Sequence, residues 1–131
     1  MIYLDSSALL KLLFEERESA ALDEWISARA GTPVVSSELA KVEVIRACRR
    51  LSTAVLPEAA ALLAELDLIP LAGGLLDAAA AVGETSLRSL DAIHLASALS
   101  IREDLSAFIA YDLRLAEGAS AVGLKTFRPG R

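Results

Sequence analysis

The sequence predicts an α/β protein: a three-layer α/β/α domain spanning residues 1–131 around a five-stranded, mostly parallel sheet. Three observations predict it. Five short apolar or β-branched runs alternate with segments of helical character, and strands separated by helices imply right-handed crossovers and parallel pairing. The first run, Met1-Ile2-Tyr3-Leu4, is too short for a helix and leads at once into Asp5 and a helical stretch, so a buried strand delivers a carboxylate where a helix begins. A chain of 131 residues buries about two-thirds of its unfolded surface without disulfides or metal staples, so one core suffices.

The elements follow in order. Ala8 to Phe14 reads as the first helix, with Asp5 and the serines beside it as good N-caps. Glu15 to Glu18 is a charged break. From Ser19 to Arg29, the residues Ala21, Leu22, Trp25 and Ile26 make an apolar stripe of helical period, with Trp25 as a core or partner-facing anchor. Gly31-Thr32-Pro33 is a turn and Val34-Val35-Ser36 a second strand, after which Ser36 or Ser37 caps a helix from Glu38 to Leu51. Pro57, at a first-turn position, opens a helix that runs to Glu65, and Leu68-Ile69-Pro70 is the third strand. Gly73 to Val82 is an Ala- and Leu-rich helix. Ser89 caps a further one, Leu90 to Arg102, with Ile93, Ala96, Ala98 and Leu99 on its inner face. Ala107 to Tyr111 is the fourth strand, Asp112 follows it directly, Leu113 to Ala121 is a short helix, and Lys125 to Arg128 is a fifth, edge strand.

Composition narrows the class. Hydrophobic residues are 54% of the chain, yet no stretch approaches the roughly 20 apolar residues of a membrane span. Asp5 falls where the apolar region of a secretory leader would be building, and no basic region precedes it. The single cysteine, Cys48, reads as a small buried hydrophobe and suits a reducing cytoplasm, the expected location. A net charge of −5 disfavours a nucleic-acid partner only if the charge is spread out; four carboxylates gathered on bound cations would leave −1 elsewhere.

Four acids are candidates for such a gathering. Asp5 and Asp112 each follow a strand, the first and the fourth, and strand ends of this kind share one rim of a doubly wound sheet. Glu43 lies four residues from both Leu39 and Ala47, so it shares a helix face with apolar and small residues. Asp91 sits in the first turn of its helix. Each has an ordinary structural alternative: Asp5 as a helix cap, Glu43 as an ion pair with Arg46, Asp91 as a partner of the helix dipole. Glu38 points to a different face, as a first-turn acid favoured by the dipole. Together the four would make an all-oxygen cluster that cannot stay ionised at short range without a cation. Hard cations such as Mg²⁺ or Mn²⁺ suit it, and such a site activates water for an in-line phosphodiester displacement.

Asp5-Ser6-Ser7-Ala8-Leu9, Ser37-Glu38-Leu39 with Glu43-Val44-Ile45-Arg46-Ala47, Leu90-Asp91-Ala92-Ile93-His94-Leu95-Ala96 and Tyr111-Asp112-Leu113-Arg114-Leu115 occur in the order and spacing of the PIN-domain ribonucleases. The chain looks most like the VapC-type toxins of bacterial and archaeal toxin–antitoxin pairs, over nearly its whole length. The resemblance implies a PIN-like fold and a Mg²⁺- or Mn²⁺-dependent endoribonuclease. Asp5 would be the central metal ligand, with Glu43 and Asp91 as partners, directly or through water. Asp112 would complete the pocket, and the hydroxyl of Ser6 or Ser7 would orient Asp5 or a water. It further implies an RNA substrate, a cognate antitoxin, and a homodimer or a higher hetero-oligomer with that antitoxin. One departure is visible: Ala110 stands where the family often has Thr or Ser, which removes one supporting hydrogen bond.

Arg46, Arg49 and Arg50 suit the end of the Glu43 helix, and Arg46 and Arg50 could also hold RNA phosphates; Arg88 is a weaker candidate. Leu12, Leu13, Phe14 and Trp25 exceed what the core requires and fit an antitoxin-binding groove or a dimer contact. His94, the only histidine, is three residues after Asp91 and shares its face; packing is its more usual role. Gly118 to Thr126 is a near miss for a phosphate loop, with too few residues after it for the required helix. A receiver domain fails because no Asp ends the third strand, and an Asp-x-Asp phosphatase fails because Ser7 stands at the second position. The alternatives within reach are an RNA-maturation nuclease of the same family without an antitoxin, or a catalytically weak binding module.

Overall fold

β1 (Ile2–Leu4) runs through the middle of the sheet with all three residues fully buried. The computed structural model describes residues 1–131. Around β1 the sheet adds β2 (Val34–Ser37), β3 (Asp67–Ile69), β4 (Ala107–Ile109) and β5 (Thr126–Phe127), all parallel, in the order β3-β2-β1-β4-β5. Tyr3 pairs with Val35 on one side and with Phe108 on the other. The chain builds outward from β1 to β3, then crosses back to β4, so the order reverses between β1 and β4. That reversal opens a crevice at the carboxyl ends of these two strands.

Alternation along β1 separates two apolar layers. Ile2 and Leu4 face α1 (Ser6–Leu13), α2 (Ser19–Ser27), α3 (Leu39–Leu51) and α4 (Leu56–Glu65), where they pack with Leu9, Leu22, Val44 and Cys48. Tyr3 faces the other way, with Phe108, Leu95 and Leu115, under α6 (Ser89–Ser100) and α7 (Leu113–Ala121). α5 (Gly73–Ala81) lies against α6 through small side chains, Ala79 meeting Ala92 and Ala96. Each large apolar side chain buried in these layers contributes about 1.5–3 kcal/mol, which anchors the strand ends where the acids stand. The three-layer parallel architecture is the one the sequence predicts.

Boundaries differ in ways that have local causes. α1 starts at Ser6 rather than Ala8, because Asp5, in extended backbone, is its N-cap and accepts from the Ala8 N–H at 3.0 Å. Ser89 does not cap α6; it is the first helical residue, and Arg88 occupies the cap position with no side-chain bond. Glu38 occupies the cap position of α3, while the Ser37 hydroxyl accepts from the Leu39 N–H and the Ser36 hydroxyl donates to the Leu4 carbonyl across the sheet. The third strand ends before Pro70, which has no N–H for the ladder. β4 stops at Ile109, because the Tyr111 N–H turns to the Ser7 hydroxyl at 3.0 Å. Glu38 is more than a first-turn acid, since its carboxylate accepts from the Leu71 N–H and ties down the loop after β3.

Within the charged break Glu15–Glu18, Glu15, Glu16 and Arg17 are exposed but Glu18 is buried. Lys11, in the last turn of α1, is buried, and its ammonium lies 2.8 Å from Glu16 and 2.7 Å from Glu18. Glu18 also receives Arg131 at 2.8 Å, and the Tyr111 hydroxyl donates to the Pro129 carbonyl at 2.7 Å. The last residues are thereby fastened beside Tyr111, the neighbour of Asp112. No helix is long and apolar enough to cross a membrane.

Candidate active site

Asp5 stands at the end of β1, 4% exposed, on a backbone whose N–H donates to the Ile109 carbonyl. Its Oδ1 accepts from the Ser7 hydroxyl at 2.6 Å and from the Ala8 N–H at 3.0 Å. Its other oxygen takes no bond from the protein. No side-chain oxygen in the fold is both fully buried and unpaired, so Oδ2 is not completely shut off from solvent. Burial pushes Asp5 up from 3.8 to about 6; His94, the Ser7 hydroxyl and the Ala8 N–H oppose this rise, and Glu43 adds to it.

Glu43 projects from α3 toward the same rim, half-buried. Its Oε1 accepts from the Ser6 hydroxyl at 2.6 Å and sits 2.7 Å from His94 Nε2, leaving Oε2 without a protein partner. Burial disfavours the carboxylate, but the bonds from His94 and Ser6 outweigh it and hold Glu43 below the usual glutamate range. The expected ion pair with Arg46 is not formed; Arg46 faces solvent. Each of the adjacent serines Ser6 and Ser7 thus secures a different carboxylate.

Asp91, in the first turn of α6, is pushed up by burial and by the negative charges of Asp112 and Glu43, while His94 and Arg88 pull the other way. Asp112 is the N-cap of α7 and exposed; its Oδ1 accepts from the Leu115 N–H at 3.0 Å. Asp91 and Asp112 line one open crevice of about 630 Å³ together with Arg88, Arg114, Glu117 and Ser86. Charge links the four acids in pairs, Asp5 with Glu43 and Asp91 with both Glu43 and Asp112. Asp5 and Asp112 are both helix N-caps, each accepting from a backbone N–H of the first turn. Each of the three tethered acids is gripped through one oxygen only.

Their donor chemistry fits a hard cation. All donors are carboxylate oxygens, with no cysteine or exposed imidazole to favour a softer metal. As placed, no three side chains form a ready-made cage for an ion. A cation that keeps several of its waters and takes few direct ligands matches that spacing.

Other residues named from the sequence fall as follows. Ser7 donates to Asp5, and through its oxygen receives the Tyr111 N–H, which ties the ends of β1 and β4 together. Arg46, Arg49 and Arg50 are exposed on α3 and do not line the acidic crevice; Arg88 and Arg114 do. Leu13, Phe14 and Trp25 are half-buried against the core, and Trp25 lies between the Phe127 ring at 5.4 Å and the Arg29 guanidinium at 3.6 Å. An apolar groove of about 410 Å³ opens nearby, lined by Leu12, Ile26, Pro33, Leu62 and Leu66, not by Leu13, Phe14 or Trp25. Ala110 is fully buried among Tyr3, Phe108 and Leu115.

Sequence reasoning missed the support behind Glu43. His94 is 2% exposed, and its Nδ1 lies 2.7 Å from the Tyr3 hydroxyl. Its position three residues after Asp91 was the available signal. Tyr3 carried none, because an aromatic residue in a buried strand looks like core. Arg114 and Glu117 enter the crevice because α7 leaves β4 at Asp112 and lays its first turns along the rim.

The PIN-domain family matches residues 2–120. The chain is 42% identical over 133 residues to ribonuclease VapC47 of Mycobacterium tuberculosis, covering 99% of this chain and 98% of the relative. It is 42% identical to ribonuclease VapC35 of the same organism, covering 100% and 98%, and 40% identical over 128 residues to ribonuclease VapC46, covering 98% and 97%. The crystal structure of M. tuberculosis VapC20, a Sarcin-Ricin loop cleaving toxin, superposes with a TM-score of 0.76 at 19% identity, over 98% of this chain and 100% of that one. The chain belongs to the PIN-domain family of nucleases, among the VapC ribonucleases.

Proposed function

We propose that this protein is a Mg²⁺- or Mn²⁺-dependent endoribonuclease that hydrolyses RNA phosphodiesters as the toxin of a toxin–antitoxin pair in the cytoplasm. One observation carries the reading. Asp5, Glu43 and Asp112, from three separate segments, are each held through one oxygen, and Asp91 couples by charge to Glu43 and Asp112 and lines one crevice with Asp112. Asp5, Glu43, Asp91 and Asp112 would hold the ion, directly or through water. Once bound, it supplies a polarised water and positive charge against the phosphodiester oxyanion.

The protein's own part is positional. Ser7 and the Ala8 N–H keep Asp5 from rotating, Ser6 and His94 do the same for Glu43, and Leu115 for Asp112. Carboxylates fixed in this way need no reordering when the ion and substrate arrive. Arg88 and Arg114 at the crevice offset the acids and meet the RNA backbone, which positions a substrate without reading its sequence. The apolar groove bordered by α1, α2 and α4, together with the half-buried Trp25 next to Ile26 on α2, fits the amphipathic segment of an antitoxin.

The test is RNA cleavage by wild type, Asp5→Asn and Asp91→Asn with Mg²⁺, Mn²⁺ or EDTA. Cleavage should require the metal and disappear in both variants. Metal-independent cleavage, or full activity in both variants, removes the mechanism. Expression of the chain alone should arrest growth, and co-expression with the antitoxin should restore it; growth unaffected by an active enzyme favours an RNA-maturation role.

A further inference from the structure

Behind Glu43 lies a buried relay that leaves the active-site rim and ends in the core. Glu43 Oε1 is 2.7 Å from His94 Nε2, and His94 Nδ1 is 2.7 Å from the Tyr3 hydroxyl. Three elements supply it: α3, α6 and β1. His94 and Tyr3 are 2% and 0% exposed, so neither reaches RNA or solvent. An ionised carboxylate only accepts, so Nε2 carries the hydrogen and donates it to Glu43. The Ser6 oxygen, 3.3 Å from Nε2, stands on the same side of the ring.

Tyr3 does more than its packing requires. Its ring stacks on Phe108 at 5.2 Å with the planes nearly parallel, and it meets the His94 ring edge-on at 5.9 Å. Phenylalanine would satisfy both contacts. The hydroxyl adds a hydrogen bond to Nδ1, with the Ser36 and Ser97 hydroxyls also beside its oxygen. In the neutral form of the ring, with Nε2–H given to Glu43, Nδ1 is an acceptor and the tyrosine O–H donates to it.

We propose that Tyr3 and His94 are positioning residues for Glu43, in which the Tyr3 hydroxyl fixes the tautomer and angle of the His94 ring. The His94 Nε2–H then holds Glu43 Oε1 and presents Oε2 alone to the cation. The inference rests on the reading of Glu43 as one of the metal-holding carboxylates. Without the relay, only Ser6 holds Glu43, its carboxylate turns more freely, and its affinity for the ion falls as that of other metal ligands does when their outer supports are lost.

The chain has one histidine, so a single imidazole dominates long-range ¹H–¹⁵N correlation spectra of uniformly labelled protein. Three variants are compared with wild type: Tyr3→Phe, His94→Gln and Asp5→Asn. Two readouts are taken: the His94 nitrogen shifts in metal-free protein, and Mn²⁺ affinity by titration calorimetry without RNA. Wild type should show the Nε2–H tautomer, and Tyr3→Phe, which keeps the stacking, should show a mixture of tautomers. Mn²⁺ affinity should fall several-fold in Tyr3→Phe and about 10–100-fold in His94→Gln. For RNA cleavage, kcat should drop while KM for RNA holds.

An Nδ1–H tautomer in wild type, or a folded Tyr3→Phe variant with an unchanged spectrum and unchanged Mn²⁺ affinity, overturns the proposal. Asp5→Asn separates the two levels. If it abolishes Mn²⁺ binding while the relay variants bind normally, only the positioning role fails. If it also binds normally, the carboxylate site itself fails, and the relay's role falls with it.

Discussion

His94 and Glu43 are 51 residues apart on different helices, yet Nε2 lies 2.7 Å from Oε1, the same oxygen that Ser6 holds at 2.6 Å. Glu43→Gln keeps an oxygen for Ser6 and His94 but removes the charge. Thermal stability should change little, while kcat falls by about 100-fold or more, the scale of a lost electrostatic contact in an active site. A variant with near wild-type kcat would show that Glu43 serves the fold alone.

Asp5 predicts a pH dependence with a definite sign. In the unfolded chain it ionises near 3.8 and in the fold near 6, so across that interval the folded protein keeps a proton that the unfolded chain releases. In EDTA, this group makes stability fall as pH rises from about 4 to about 6, and it adds no slope above that. Glu43, held low, acts oppositely: its contribution is present above its unfolded value and is lost as pH falls. Melting curves of wild type and Asp5→Asn across this range should differ in slope, with the variant gaining relative stability at neutral pH. Parallel curves would contradict a buried, proton-retaining Asp5.

Arg88 and Arg114 line the acidic crevice, and Arg46 and Arg50 do not. Arg88→Ala and Arg114→Ala should each raise KM for RNA and reduce the salt dependence of binding by roughly 0.7–1 in the log–log slope. Arg46→Ala and Arg50→Ala should have the smaller effect. The reverse ranking would move the substrate path onto α3.

Ala110 occupies the position where a hydroxyl residue was expected, and it is fully buried in the apolar layer with Tyr3 and Phe108. Ala110→Thr inserts a larger, polar side chain there. It should cost about 1–3 kcal/mol of stability, measured by urea unfolding, with no gain in kcat. A faster and equally stable variant would show that the position faces the site.

Trp25 is half-buried beside Phe127 and Arg29 at one edge of the α1–α2 surface. Trp25→Glu should abolish co-purification with the antitoxin while leaving metal-dependent cleavage intact. Unchanged co-purification would confine antitoxin binding to the groove under Leu12 and Ile26, which Trp25 does not line.

The fold was legible because its signals are local. Apolar β-branched runs, helical stripes and turn residues recur within a few positions of one another, and alternation of strand with helix leaves few topologies. Element ends were legible only to within a residue or two. Whether Ser6 or Asp5 caps α1, or whether Tyr111 stays in the ladder, is decided by hydrogen bonds to residues brought from elsewhere, Ser7 to Tyr111 above all. Lys11 and Glu18 mislead a linear reading for the same reason: charges in a sequence look solvated until the partners that bury them are in place.

Residue types and their order determined that this chain would be a parallel α/β domain with an aspartate at the end of each of two strands and acids early in two helices. A single chain position carries its own chemistry and its neighbours' periodicity, and that information is enough for so much. Which oxygen of each acid is gripped, that Ser6 and Ser7 serve different carboxylates, and that Tyr3 stands behind His94 were decided only by the folded structure. Those contacts span up to 91 residues, and their energies depend on angles and burial that no local pattern encodes.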